Sequence, residues 1–404
     1  MNHSIWVKFK NVKIKDILSI FKLLIALPYA LFVRIRYGKF WVICESENEA
    51  RDNGYWLFKY ICENTDKYVV YAINNKSSDR DKVKSLGNVI SYGTIKHWAY
   101  YIASALTIST QKSGNPNAAI CYVLEVYGIS RKKRIFLQHG ITYNNAEWLY
   151  YDNTKFKMFI CGAKPEYEYV SNIFGYPKEN IQYLGFCRFD NLLNTERTVD
   201  KKRILVMPTW REWLVNKTQM TKESGYNGVF ETTPYFNAWL NLLNNKQLNE
   251  MLKNNNIELI FYPHRNMQPF LDKFTVESEN VILASWKEYD IQDLFINTDM
   301  MITDYSSVLF DYAYLKKPIV FYQFDYDDFR KGQYKEGYFD FKNQQLGQAF
   351  YEETDIVEAV GKIIMNDFKI TDEQDKYISN FFELYDNKNC ERTYEAILKV
   401  EKGK

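Results

Sequence analysis

The regular alternation of strand-like and helix-like segments is the feature that most limits what this chain can fold into. From residue 40 onward, short apolar runs of strand length alternate with longer helical patterns. Such alternation is typical of parallel sheets that carry helices on both faces. The predicted strands are residues 40–45, 68–73, 88–92, 105–110, 134–138, 157–161, 181–184, 203–207, 257–262, 280–284, 299–303 and 318–322.

The helical patterns fall into two series, which are separated by the polar residues 190–202. We predict that these residues form a linker. We therefore expect an α/β fold of two doubly wound domains, residues 40–195 and 196–404, with a cleft at the carboxyl ends of their strands. Predicted helices lie near residues 50–63, 95–103, 115–128, 164–175, 234–253, 288–297, 307–316, 355–365 and 372–398. The last of these could pack back on the first domain.

Residues 1–39 form a basic segment with an apolar centre. It carries eight Lys and Arg residues against one acid, Asp16, whereas the whole chain has a net charge of only +2. Its apolar run, residues 17–33, is short for a spanning helix and contains Lys22 and Pro28. We predict an amphipathic helix on an anionic membrane surface, with packing on the first domain and a true span as the alternatives.

Composition and motifs exclude several classes of function. The near-neutral charge gives no case for a nucleic-acid-binding protein. Neither a GxGxxG nor a GxxxxGK[ST] motif is present, and the six cysteines have no zinc-like spacing. We expect no metal and no cofactor. Buried free thiols are expected, as in a reducing cytoplasm.

His139 follows the predicted strand 134–138 and precedes Gly140, which permits a turn that would project the histidine. A histidine at such a position can accept a proton from an attacking hydroxyl group. A purely structural histidine that fixes the turn by hydrogen bonds is the alternative. Near the start of the first domain, Asp52 and Asn53 are candidates for the acceptor side of the cleft, together with Gln138, and Arg188 is a weaker candidate for an anion contact.

Two strands of the second domain end in cationic residues. His264 and Arg265 follow one strand, and this pair suits phosphate oxygens. Arg211 follows another strand and could bind phosphate, while Thr209 could donate a hydrogen bond. A solvated loop is the alternative for His264 and Arg265.

The apolar strand at residues 300–303 ends in Thr303, Asp304, Tyr305, Ser306 and Ser307, and a helical pattern follows. We predict a tight turn and a helix that Ser306 or Ser307 caps. The free N–H groups of a helix start attract anions, so this turn is a candidate phosphate site.

Several of these segments together resemble the CDP-glycerol glycerophosphotransferase family of teichoic-acid synthesis. The matching pieces occur in the order of the family and cover about residues 40–330. They are RDNG at 51–54, LQHG at 137–140, GFCRFD at 185–190, MPTWR at 207–211, YPHR at 262–265 and TDYSSVLFDYA at 303–313.

The resemblance implies a GT-B fold, in which two Rossmann-like domains face each other across the active site. It implies transfer of glycerol phosphate from CDP-glycerol to a hydroxyl of a lipid-linked acceptor, with release of CMP, at the cytoplasmic face of the membrane. It gives His139 the role of the base, and it places His264, Ser306 and Ser307 on the donor phosphates.

Two departures from the family keep alternatives open. Chain-extending members usually carry a further N-terminal domain, so this chain looks more like a primase-type member. Many members have His-Pro where this chain has His264 and Arg265, so CDP-ribitol remains an alternative donor. A GT-B glycosyltransferase that uses a nucleotide sugar is the runner-up.

Overall fold

The computed structural model describes residues 13–215, 230–333 and 335–403. The chain divides into two compact units. The first contains the residues up to Ile141, Glu147–Asn191 and Asp386–Lys404, and the second contains Thr142–Ala146 and Leu192–Tyr385. Lys8 and Lys10 of the predicted basic segment lie outside the described residues. Because residues 142–146 and 386–404 change sides, a single cut at residue 195 does not separate the units.

The first unit is built on seven parallel strands in the order β3-β2-β1-β4-β5-β6-β7. The strands are Trp41–Ile43 (β1), Val69–Ile73 (β2), Asn88–Ser91 (β3), Leu106–Ser109 (β4), Lys133–Phe136 (β5), Met158–Cys161 (β6) and Ile181–Tyr183 (β7). The α-helices are Ile14–Tyr37 (α1), Asn53–Asn64 (α2), Arg80–Leu86 (α3), Ile95–Ala103 (α4), Ala118–Val126 (α5), Lys164–Ile173 (α6), Cys187–Asn194 (α7) and Asn389–Lys402 (α16). Short 3-10 turns lie at Glu147–Leu149, Tyr151–Asn153 and Lys178–Asn180.

The second unit has six parallel strands in the order β10-β9-β8-β11-β12-β13. They are Arg203–Met207 (β8), Glu258–Phe261 (β9), Val281–Leu283 (β10), Met300–Thr303 (β11), Ile319–Tyr322 (β12) and Gln348–Phe350 (β13). Its α-helices are Glu212–Val215 (α8), Pro234–Leu243 (α9), Lys246–Asn254 (α10), Ile291–Ile296 (α11), Leu309–Tyr314 (α12), Tyr326–Gly332 (α13), Glu353–Met365 (α14) and Asp372–Phe381 (α15), and 3-10 segments lie at Phe230–Thr232 and Arg265–Lys273.

The predicted parallel α/β architecture is confirmed, because every strand pair in both sheets is parallel. The central strands are buried apolar runs, as expected where helices cover both faces of a sheet. In each unit a hydrophobic core lies between the sheet and its helices.

Several details of the sequence prediction are wrong. The predicted linker at 190–202 begins inside α7, whose residue Asp190 is buried. The pattern at 234–253 is two helices, since the Asn245 side chain accepts the Leu248 N–H and starts a new helix. The pattern at 372–398 is likewise two helices, α15 and the first part of α16. The edge strand β13 was not predicted.

Helix α1 packs with one face and exposes the other. Ala26, Ala30 and Val33 are buried against α4 in an apolar cluster of the first unit. The helix continues through Pro28. By length and composition it could cross a membrane, with 28% of its most apolar window buried. The opposite face exposes large apolar side chains, among them Ile14, Leu18, Phe21, Leu24, Ile25, Leu31, Phe32 and Ile35.

Candidate active site

The predicted site residues lie at the carboxyl ends of parallel strands. In each sheet the strand order reverses beside the first strand of the unit, between β1 and β4 and between β8 and β11. Ligands of open α/β sheets bind outside the carboxyl ends of strands at such reversals. His139 follows β5 in the first unit, and His264 follows β9 in the second. Each unit is therefore described on its own.

The imidazole of His139 is exposed and is held by one hydrogen bond. Its Nδ1 lies 3.2 Å from the carbonyl oxygen of Thr110, which follows the neighbouring strand β4. A carbonyl oxygen only accepts hydrogen bonds, so we assign the proton of the neutral ring to Nδ1. Nε2 then carries a lone pair, and the ring can take a proton there.

The backbone before His139 is fixed by Asn53 and by the side chain of Gln138. Asn53 Nδ2 donates to the carbonyl oxygens of Gln138 and Leu137, at 2.8 and 3.3 Å. Gln138 Nε2 donates to Ile160 O at 2.6 Å and to Glu166 Oε1 at 3.0 Å. The left-handed residue of this turn is Gln138, with φ 59°, rather than the predicted Gly140. A non-glycine residue there costs energy, and these contacts hold it in place.

Asp52 and Arg188 form an ion pair at the start of α2. Arg188 Nη1 lies 2.6 Å from Asp52 Oδ1, and the backbone N–H of Arg188 donates to Asn53 Oδ1 at 3.1 Å. Glu45 is buried beneath them and accepts the N–H groups of Arg51, Asp52 and Tyr55. Burial and the charge of Asp52 raise the pKa of Glu45 to about 8, although these N–H groups favour its charged form.

His139 also lines a cavity of about 1240 Å³ within the first unit. The polar wall includes Lys112 and Arg134. The cavity reaches the first turn of α1, because Asp16 is among its lining residues. Most of the wall is apolar and aromatic: Tyr122, Val123, Tyr127, Ile129, Trp148 and Phe156. The base candidate therefore stands beside a space that suits a bulky amphiphilic molecule.

In the second unit, Arg211 is completely buried between two carboxylates. Its Nη2 lies 2.8 Å from Asp304 Oδ2, and its Nε lies 2.7 Å from Asp325 Oδ2. Burial opposes the charge, but Asp304 and Asp325 together raise the pKa of Arg211. Burial also raises the pKa of Asp304 in spite of Arg211. Since the guanidinium is occupied within the protein, we reassign Arg211 from phosphate ligand to positioning residue.

Asp304 and Thr303 also hold the turn after β11. Asp304 Oδ1 accepts the backbone N–H groups of Thr209 and Tyr305, at 2.8 and 2.7 Å. The hydroxyl of Thr303 donates to Met207 O at 2.7 Å and joins β11 to β8. Their polar side-chain atoms therefore fix the turn rather than face a ligand.

The prediction that Ser306 or Ser307 caps a helix is wrong. Helix α12 begins at Leu309 with Val308 as its N-cap, and no side chain caps it. The carbonyl oxygens of the two serines instead accept the N–H groups of Leu309 and Phe310, at 3.2 Å each. Within the described residues neither serine hydroxyl has a hydrogen-bond partner, so both can serve a ligand.

His264 is half-buried and has the opposite hydrogen-bond pattern to His139. Its Nδ1 accepts the backbone N–H of Asn266 at 3.2 Å, so the proton of the neutral ring lies on Nε2. The ring stacks on Trp210, with centroids 6.1 Å apart. Burial lowers the pKa of His264 to about 4, and the ring is therefore neutral near pH 7. The neighbouring Arg265 is exposed and stacks on Trp286.

The structure brings the predicted residues into two groups, one in each unit. In the first unit Asp52, Asn53 and Gln138 are linked beside His139, and in the second unit Thr209, Arg211 and Asp304 are linked. Sequence analysis missed Glu166 and Asp325. Asp325 follows β12 closely, and an acid after a predicted strand was the signal that could have identified it. A grouping of His139 with His264 and the serines stays a prediction.

These features define the class of the protein, an α/β enzyme of GT-B-like fold. A family model described as CDP-Glycerol:Poly(glycerophosphate) glycerophosphotransferase matches residues 25–399, and the chain belongs to this family. The family resemblance that the sequence motifs predicted is confirmed. Among the described residues, no group of three His, Cys, Asp or Glu side chains is arranged to hold a metal ion.

Relatives of known role include one longer protein and one of similar length. The minor teichoic acid biosynthesis protein GgaB of Bacillus subtilis (strain 168) is 34% identical over 373 residues, which cover 90% of this chain and 40% of GgaB. The chain thus spans less than half the length of GgaB. The teichoic acid glycerol-phosphate transferase of Staphylococcus aureus (strain NCTC 8325 / PS 47) is 22% identical, with 95% of this chain and 97% of that protein covered.

A solved structure of the wall teichoic acid polymerase TagF, soaked with CDPG, has a similar fold. The TM-score is 0.67 at 16% identity, and the match covers 99% of both chains. This likeness confirms the predicted GT-B-like fold.

Proposed function

We propose that this chain transfers glycerol phosphate from CDP-glycerol to a hydroxyl group of a lipid-linked saccharide or polymer and releases CMP. The acceptor oxygen attacks the β-phosphorus in line with the bond to CMP. A new O–P bond forms while the bond to the CMP oxygen breaks. His139 Nε2 takes the proton of the acceptor hydroxyl, and CMP leaves with the bonding electron pair.

The opposite hydrogen-bond patterns of the two histidines are the observation that carries this proposal. His139 presents a bare Nε2, because Thr110 O binds its Nδ1–H. His264 presents an Nε2–H, because its Nδ1 accepts from Asn266. A bare ring nitrogen suits a general base, and an N–H donor suits a phosphate oxygen. The two rings therefore suit the acceptor side and the donor side of a phosphoryl transfer.

The donor phosphates need positioning and compensation of oxygen charge more than covalent chemistry. His264 supplies an N–H donor, Arg265 a positive charge, and Ser306 and Ser307 two hydroxyl donors. The pair of Arg211 with Asp304 fixes the turn that carries the serines. We propose that these groups of the second unit hold the donor phosphates.

The acceptor side of the proposal rests on the cavity beside His139 and on α1. An aromatic and apolar cavity that reaches the first turn of α1 suits an acceptor joined to a lipid. The exposed apolar face of α1 suits the interface of a membrane. We propose that the protein is peripheral, at the cytoplasmic face of an anionic bacterial membrane.

Replacing His264 with alanine should weaken donor binding as well as turnover. A hydrogen bond to a charged group contributes about 1.5–3 kcal/mol, so Kd for CDP-glycerol should rise roughly tenfold or more. Because the pKa of His264 is about 4, wild-type donor binding should not lose this contact between pH 6 and 8. Calorimetry with CDP-glycerol measures both effects. His264→Gln keeps an N–H donor and should recover part of the affinity, whereas an unchanged Kd for His264→Ala would remove its phosphate role.

Asn53→Ala should lower kcat and leave the KM for CDP-glycerol unchanged. Without the amide, the carbonyls of Leu137 and Gln138 lose the hydrogen bonds that Asn53 donates to them, and His139 can shift. A misplacement of about 1 Å can cost up to about 10²-fold in rate. Asn64→Ala is the matched control, because it removes an exposed amide from the other end of the same helix. Equal kcat in both variants would show that Asn53 does not position His139.

The donor and the acceptor are tested by product analysis. CDP-glycerol, CDP-ribitol and UDP-sugars are offered in parallel with a panel of lipid-linked saccharides, and CMP and UDP release are measured. We expect CMP from CDP-glycerol and a mass increase of one or more glycerol phosphate units on the acceptor. UDP release with sugar transfer would replace the proposal by a glycosyltransferase function.

A further inference from the structure

A strongly basic cavity of about 310 Å³ lies at the carboxyl end of α1 in the first unit. This volume is about that of ten water molecules in the liquid. Its walls come from the end of α1, the residues just before β4, the residues around the start of β5 and the last turn of α16. Five cations and a single acid line it: Arg34, Lys39, Arg131, Lys132, Lys133 and Glu401. We call it the basic pocket.

Among the described residues, no carboxylate forms an ion pair with the cations of the basic pocket. Arg34 donates to Ala103 O at 2.8 Å, and Lys133 donates to Val400 O at 2.8 Å, so both bind neutral carbonyls. Lys39 and Arg131 are exposed, and their side chains have no partner among the described residues. The acid, Glu401, already accepts hydrogen bonds from Trp41 Nε1 and Lys67 Nζ, at 2.9 and 2.7 Å.

Lys132 is the most enclosed cation of the basic pocket. Its Nζ is enclosed by the carbonyl oxygens of Ile102 and Ser104, at 3.1 and 2.5 Å. Burial, and then the charge of Arg34, lower the pKa of Lys132 to about 8, against a smaller opposing effect of Glu125. An anion in the pocket would therefore meet cations that lack a counter-charge.

The pocket adjoins the exposed apolar face of α1. Arg34 belongs to the last turn of the helix, and Leu31, Phe32 and Ile35 around it are 65, 62 and 77% exposed. An anionic phospholipid joins acyl chains to a negatively charged head group in this arrangement. Basic pockets beside membrane-facing helices bind such head groups.

We propose that the basic pocket binds the phosphodiester head group of an anionic phospholipid, with the acyl chains along the exposed face of α1. Arg131 and Lys39 contact the phosphate oxygens at the mouth, and Arg34 and Lys132 provide the positive field behind them. This proposal rests on the membrane-surface placement in the proposed function, but not on the transfer reaction. The proposed site is a specific lipid-binding pocket, in contrast to a general electrostatic attraction between the protein and the membrane surface.

The test measures how the full chain partitions onto vesicles without any nucleotide. Sedimentation is compared for vesicles of phosphatidylcholine alone and with a fraction of phosphatidylglycerol. Lys39→Gln with Arg131→Gln removes two charges from the mouth of the pocket. Lys84→Gln with Lys178→Gln is the matched control, because both are exposed residues of the first unit without partners among the described residues. Thermal unfolding confirms that both pairs fold.

We expect the pocket pair to lose about tenfold or more in binding to the phosphatidylglycerol vesicles, since each basic residue near an anionic surface contributes about fivefold. The control pair should change about twofold at most, and binding to pure phosphatidylcholine should stay the same. If both pairs of variants lost binding to the phosphatidylglycerol vesicles equally, the specific site would be refuted. Binding would then depend on the overall positive charge of the surface.

A competition experiment tests whether the pocket binds a lipid head group or a soluble phosphate. Inorganic phosphate and glycerol phosphate are added at the ionic strength of the vesicle assay, and we expect neither to displace the protein. Displacement would overturn the lipid assignment and indicate a soluble phosphate ligand. CMP release from CDP-glycerol with a detergent-dispersed acceptor is measured separately. A failed transfer assay would refute the proposed reaction without affecting the vesicle result.

Discussion

Replacing His139 with alanine should lower kcat by about 10²–10⁴-fold, the usual cost of removing a general base. The reason is the free Nε2 of a ring whose Nδ1 is bound to Thr110 O. The hydrogen-bond partner of this side chain, Thr110 O, lies in the first unit, whereas the proposed donor ligands belong to the second, so the affinity for CDP-glycerol should change little. Steady-state kinetics give kcat, and calorimetry gives the donor Kd.

The variant His139→Gln distinguishes a role of His139 as general base from a role in holding the turn. Glutamine can keep a hydrogen bond to Thr110 O, but it cannot take up a proton near pH 7. It should therefore be as inactive as alanine and unfold at the wild-type temperature. Near-normal turnover in either variant would refute the assignment of His139 as the base, even if CMP release from CDP-glycerol were established.

Arg211→Met should destabilise the second unit by about 3–5 kcal/mol, because it leaves the buried Asp304 and Asp325 without their cation. Both carboxylates lie within 2.8 Å of the guanidinium, which is 0% exposed. For a unit of this size the loss corresponds to a fall in Tm of roughly 6–20 °C. Urea or thermal unfolding measures it.

Two comparisons isolate the buried charge. Arg203→Met breaks a pair of the same length, 2.7 Å to Glu258, but this pair is partly exposed and should contribute at most about 1 kcal/mol. Arg211→Met combined with Asp304→Asn and Asp325→Asn removes the uncompensated charges and should recover stability. If Arg211→Met cost no more than Arg203→Met, Arg211 would not hold the turn that carries Ser306 and Ser307.

The sequence predicted the strands well, since apolar runs with polar ends identify buried parallel strands. The strand β13 escaped because Gln348–Phe350 is short and lies at the sheet edge, where one neighbouring strand is enough. The boundary between α9 and α10 at Asn245 was not predicted, because a capping asparagine inside a long helical pattern looks like any polar surface residue.

Roles within the site were harder to predict than positions. From the sequence alone, Arg211 looks like a phosphate ligand. In the structure it pairs with Asp325, which is 114 residues away in the chain. Gly140 reads as the residue that makes the turn, yet contacts with Ile160 and Glu166 hold Gln138 in the left-handed conformation. The role of Arg211 and the conformation of Gln138 both depend on residues that are distant in the sequence. A local sequence pattern does not reveal such partners.

Helix α16 gives the first unit a particular order of assembly during translation. Asp190 accepts the backbone N–H groups of Asn389 and Cys390, at 2.9 and 2.8 Å, across a separation of 199 and 200 residues. The side chains of Trp41 and Lys67 likewise donate hydrogen bonds to Glu401, which is synthesised much later. The first unit therefore completes these contacts only after the second unit has been synthesised. A nascent chain that has emerged only as far as residue 191 lacks these partners of Asp190, Trp41 and Lys67.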